Sequence, residues 1–118
     1  MTTKKFLAVY TGTEAGMERW KQLDEAERNA RVGSGLKAWT EWANGNAGAI
    51  VDEGNPVGKT KRVSRDGISD IRNNIAAYVV VQAESHEAAA RLFENHPHFM
   101  AFPGDGVEIM EFVPIPGR

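Results

Sequence analysis

Ile75-Ala-Ala-Tyr-Val-Val-Val-Gln82 runs through Ala83-Glu84 into Ser85-His-Glu-Ala-Ala-Ala-Arg-Leu-Phe93, and three residues later comes His96-Pro97-His98. An apolar, valine-rich run of this length reads as a strand buried on both faces, and the two-residue break sends the next element straight back across the sheet. Ser85 is a helix cap, Glu87 complements the positive helix end, and Ala88, Ala89, Leu92 and Phe93 face the core. This is half of a compact α+β unit. It also places His96 and His98 at a helix exit beside a sheet.

The rest of the chain supplies the other half. Met1–Tyr10 is basic and then apolar; the apolar part is too short for a signal-peptide core, so Phe6–Tyr10 reads as a first strand closed by Thr11-Gly12-Thr13. Met17 and Trp20 mark a short helical turn. Asp24-Glu-Ala-Glu27 resembles a capping box and opens the main first helix, whose stripe Val32, Leu36, Trp39 and Ala43 ends at Asn44-Gly45-Asn46. Gly33 and Gly35 weaken that helix and permit close approach to the sheet. Gly48–Val51 is a second strand, Asp52-Glu-Gly-Asn-Pro56 a turn, and the polar Lys59–Ser64 an edge strand. Arg65-Asp66-Gly67 turns again, and Ile68–Asn74 reads as loop. Beyond Pro97 a loop leads to a last strand, Val107–Val113, ended by Pro114 and Pro116. The expected fold is α+β, ferredoxin-like βαββαβ: an antiparallel sheet with helices on one face.

A chain of 118 residues fits one domain, residues 1–118. A net charge of −2 gives no general attraction to nucleic acid or anionic membrane, and no window approaches a membrane span. The absence of cysteine excludes disulfides and thiol nucleophiles and suits a cytoplasmic protein. Two helices cover only one face of the sheet, while its main strands are apolar on both. The uncovered face, carrying Leu7 and Val9 or Phe6 and Ala8, predicts a homodimer built sheet to sheet.

The opening Lys-Lys-Phe-Leu-Ala-Val-Tyr strand, Trp39-Thr-Glu-Trp42, Ala-Ile-Val-Asp-Glu-Gly-Asn-Pro-Val-Gly58, Glu84-Ser-His-Glu-Ala-Ala-Ala90 leading to His96-Pro-His98, and the late Val-Glu-Ile strand together resemble the YCII-related (DGPF) family of dimeric α/β-barrel proteins. The resemblance covers most of the chain. It implies a ferredoxin-like protomer that dimerises through its sheet, with a pocket between sheet and helices, and no specific activity. Some relatives use a first-helix histidine with an aspartate just after the second helix as an acid–base pair. Here Glu14–Asn46 contains no histidine and the later position reads Asn95-His96-Pro97, so neither member transfers.

His96 and His98 flank a proline of fixed φ, an arrangement suited to proton transfer. As a metal site the pair lacks a third ligand, and no cofactor motif occurs. The plainer alternative is one ring bonding loop backbone and the other packed at the helix end. His86 starts a helix and reads as solvated. Tyr10, Trp42 and Tyr78 are candidates to line a pocket for a flat organic ligand, whereas Trp39 lies on the core stripe. Asp52 and Glu53 follow a buried strand, so Asp52 is either a desolvated base or a turn residue. Asp105 has the same two readings. Glu108 and Glu111 fall on opposite strand faces, and one of them is expected to need a cation such as Arg19 or Arg72. Lys59, Lys61, Arg62 and Arg65 lack interleaved aromatics and read as a solvated hairpin. The leading function is small-molecule binding, extending to cofactor-independent acid–base turnover. The alternative is a non-catalytic interaction module acting through its dimer surface.

Overall fold

A computed structural model describes residues 2–117 and all of their side chains except that of Met100; Met1, at the head of the first strand region, lies outside them. The sheet is organised by β1, Lys4–Gly12, which lies centrally and pairs antiparallel with β5, Ile75–Ala83, on one side and β6, Gly104–Glu111, on the other. The short β2, Ile50–Asp52, borders β5, giving the order β2-β5-β1-β6, the ferredoxin-like arrangement. Asn55 and Val57 continue the backbone pairing along β5 after β2 ends. Ala8 stands opposite both Val79 and Ile109, which fixes the faces. Phe6, Ala8, Tyr10, Ala77, Val79 and Val81 point to the helices and are buried with Ala89 and Phe93. Leu7, Val9, Tyr78, Val80 and Met110 point the other way.

The helices start where their caps require. Thr13 accepts the Gly16 amide and opens α1, Glu14–Gln22, a full helix where the sequence reads only a turn. Asp24 accepts the Glu27 amide at 2.7 Å and opens α2, Glu25–Gly45. The Arg28 guanidinium donates to the carbonyls of Lys21 and Leu23, tying the two helices at their junction. Ser85 accepts from Ala88 and opens α3, His86–Arg91.

Several expectations need correction. The stripe of α2 is rotated: Leu36 is 58% exposed and Gly35 is buried instead. A Cβ at Gly35 would lie 2.6 Å from the Phe102 ring, so the glycine sets the closest approach, and it faces Phe102 and Ala101 rather than the sheet. Residues 97–100 are not loop but a short helix, α4, Pro97–Met100, started by Pro97 and capped by the His96 side chain. Ile68–Asn74 is not loop either. Gly67–Ile71 forms β4, which pairs with β3, Thr60–Ser64, in a separate two-stranded hairpin, so β3 is not an edge of the main sheet. Its weak alternation follows from its place: Val63 and Ile68 face each other across the hairpin and both are largely exposed. Finally, β6 starts at Gly104, because Thr11 reaches across to Asp105 and Gly106.

Candidate functional site

Tyr10, fully buried on the helix side of β1, anchors an aromatic knot. The rings of Trp39, His96 and His98 stand 4.7, 5.0 and 5.1 Å from it, and Phe93 packs edge-on at 5.9 Å. Trp42 closes the group over His96 and Phe93 and donates its indole N–H to the Leu92 carbonyl at 2.8 Å.

The two histidines differ in kind. His96 is fully buried, and its Nδ1 accepts the His98 amide at 3.0 Å, the N-cap bond of α4. That bond requires an unprotonated Nδ1, so the neutral ring carries its hydrogen on Nε2 and donates to the Tyr10 hydroxyl at 3.2 Å. Burial, reinforced by the nearby charge of His98, lowers its pKa from 6.5 to about 4. Burial likewise pushes the Tyr10 hydroxyl well above the ordinary tyrosine value. Neither group changes charge near neutral pH.

His98 Nε2 meets the Thr11 carbonyl at 2.7 Å. A carbonyl only accepts, so a hydrogen sits on Nε2; in the neutral form of the ring the lone pair then lies on Nδ1, which has no partner among the described residues. The ring is held flat by Gly104, where a Cβ would fall 2.3 Å from it. Because His96 Nδ1 and His98 Nε2 are both committed to backbone, the pair offers no common ion two lone pairs. Among the described residues no three histidine or carboxylate groups converge to hold a metal.

His98, itself only 4% exposed, borders a cavity of about 850 Å³ between the sheet and α2, walled by Trp39, Trp42, Ile50, Ala77, Val79 and Phe102. Thr13, Glu14 and Arg72 also border it. Of the candidate site residues read from the sequence, His98, Trp42 and Glu53 line this cavity, and Trp39, read as core, lines it too. Tyr10 and His96 lie behind the wall. Tyr78 borders the cavity, but strand alternation turns its ring, with the Val9 side chain opposite it, to the far face of the sheet. Asp52 lies outside, its carboxylate accepting the Gly54 amide at 2.8 Å in a turn. His86 is exposed yet bonded to the Ile109 carbonyl at 2.7 Å, and Glu108 and Glu111 are both exposed, so neither requires a buried cation.

Sequence reasoning passed over the Thr11 carbonyl, Gly104 and Gly54. The first two fix the His98 ring. Gly54, at φ +67°, lies so tightly on the Tyr78 carbonyl that only glycine fits, which brings residues 53–57 against β5 as a cavity wall. The glycines were visible as turn signals; their close approaches are long-range facts.

The fold and this site define a ferredoxin-like α+β protein with a cavity between sheet and helices and one imidazole on its wall. Among solved structures the chain is similar to the 5-chloro-2-hydroxyhydroquinone dehydrochlorinase TftG of Burkholderia phenoliruptrix AC1100, determined in complex with 2,5-dihydroxybenzoquinone. The match has a TM-score of 0.56 over 92% of this chain and 93% of that one, at 14% identity, a likeness of fold. No family model and no curated protein matches the chain.

Proposed function

We propose that this protein binds a small, flat, hydroxylated organic molecule in the cavity beside α2, and that His98 serves as its acid–base group without a cofactor. The observation that carries the reading is the pairing of a fixed Nε2–H tautomer with an unpartnered Nδ1 on a ring that borders an aromatic-walled cavity. Such a ring is poised to take a proton from a ligand hydroxyl or C–H and to return it. His96, neutral and occupied on both nitrogens, positions the turn and Tyr10 but exchanges no proton with the ligand. An open cavity bordered by polar groups favours this reading over a purely structural module. TftG, of like fold, is a dehydrochlorinase solved with a dihydroxybenzoquinone, which supports a ligand of that class. Membership of the YCII-related family and a sheet-to-sheet homodimer belong to the same proposal. They are supported by the motif order and by the helix-free face carrying Leu7, Val9, Tyr78, Val80 and Met110.

The test is titration with 2,5-dihydroxybenzoquinone and with simple hydroquinones, followed by calorimetry and by absorbance for turnover. His98→Gln is the informative variant, since a glutamine amide can retain the bond to Thr11 and replaces the basic ring nitrogen by a group that does not exchange protons. It is expected to fold normally, to bind at least tenfold more weakly and to lose any pH-dependent turnover. Unchanged binding and turnover in this variant would overturn the role of His98.

A further inference from the structure

A second, smaller cavity of about 380 Å³ lies on the other side of Phe102, between α1, α2 and the start of β6. It shares Thr13, Phe102, Pro103 and Gly104 with the main cavity but differs from it in charge. Two guanidinium groups from different helices border it, Arg19 of α1 and Arg31 of α2. The flat faces of Trp20 and Phe102, tilted with centroids 6.3 Å apart, and the ring of Phe99 form its apolar part.

The charges on this wall do not cancel. Among the described residues Arg19 has no carboxylate within ion-pair distance. Arg31 has only Glu27 at 3.6 Å, with both side chains about half exposed, a pair of little energetic weight. The single carboxylate bordering the cavity, Asp105, already accepts the Thr11 hydroxyl at 2.8 Å. Two cations and one engaged anion leave a net single positive charge beside aromatic faces. Guanidinium forks match carboxylates in geometry, and aromatic faces match a flat ring.

We propose that this cavity is a binding site for a small aromatic monocarboxylate, its carboxylate held by Arg19 and Arg31 and its ring seated against Trp20 and Phe102. The site stands independently of the proposed acid–base role of His98. Its position gives it a readable link to the main cavity, because both cavities border Phe102 and Gly104, and Gly104 packs on the His98 ring.

Benzoate is the probe, with benzamide as its uncharged counterpart, read by amide and indole NMR shifts in the full chain. Saturable benzoate binding is expected to shift the Trp20 indole N–H and the amides of Gly104 and Asp105, with no saturable binding of benzamide. Arg19→Gln with Arg31→Gln should weaken benzoate at least tenfold and leave the thermal midpoint near that of the parent. His98→Gln should leave benzoate affinity unchanged, which separates failure of this site from failure of the first. The proposal is overturned if benzoate does not saturate, if benzamide binds equally well, if the double variant keeps full affinity, or if the shifts fall on Trp39, Trp42 and Ala77 instead.

Discussion

The two faces of β1 carry equally apolar side chains and have opposite fates. On the helix side Phe6, Ala8 and Tyr10 are sealed under Phe93, Ala89 and the histidine turn. On the other side only Val9 is buried; Leu7 and Val80 are half-buried and Met110 is 43% exposed, because no helix crosses them. Alternation along a strand therefore fixes which residues share a face but not what covers that face. The covered side stores stability through a buried polar network. The open side stores potential surface that only a further layer would convert into stability.

The largest effect is expected on the covered side. His96→Ala removes the cap of α4, the donor to Tyr10 and a fully buried ring, and should cost about 3 kcal/mol by chemical denaturation. His96→Asn, which can keep the cap acceptor, should recover about 1 kcal/mol of that. The same residue sets a pH signature. Its folded pKa of about 4 lies below the ordinary 6.5, so the unfolded chain binds the extra proton first. Stability from this group is complete above pH 6.5 and is lost as pH falls toward 4, by up to about 3 kcal/mol. His96→Ala should flatten that slope. A wild-type slope that survives the substitution would place the acid lability elsewhere.

The open face yields a smaller effect on the folded protomer and a larger one on assembly. Met110→Glu adds a carboxylate beside Glu108 at a position already 43% exposed, so the protomer should lose no more than about 0.5 kcal/mol. Two copies paired through this face would bring four carboxylates together in a desolvated layer. Sedimentation equilibrium should therefore give twice the chain mass for the parent and a single mass for the variant. A parent of single mass would remove the homodimer, and a variant that still dimerises would move the interface off this face.

What the sequence made legible follows the range of the interactions involved. The caps at Asp24 and Ser85 were readable because each bonds an amide three residues on, whereas Thr13, which caps α1 in the same way, was read only as the end of a strand. The central strands were readable because Phe6–Tyr10 and Ile75–Gln82 are continuous apolar runs. The His96-Pro97-His98 turn was legible as a place beside the sheet, but not the division of labour within it. That division depends on Tyr10 and Thr11, 86 and 87 residues away in the chain. The rotation of α2 was hidden for a similar reason: its period is intact, and only contact with Phe102 selects Gly35 over Leu36 as the inward position. The hairpin was half legible, since Asp66-Gly67 signals its turn while its separation from the main sheet is a tertiary matter.

That hairpin gives the smallest expected effect and sharpens the contrast between faces that pack and faces that do not. Lys61 and Asp70 lie opposite each other at 2.6 Å, yet their side chains are 70% and 83% exposed, so solvent screens the attraction and ordering both chains opposes it. Lys61→Gln should change stability by no more than about 0.5 kcal/mol, and added salt should shrink even that difference. Val63 and Ile68, also exposed on this hairpin, bury little against the body of the protein, so the hairpin contributes little through its core either. A loss above about 1.5 kcal/mol on Lys61→Gln would show that the segment is sequestered in solution, because only a desolvated pair leaves so costly an orphan when one partner is removed.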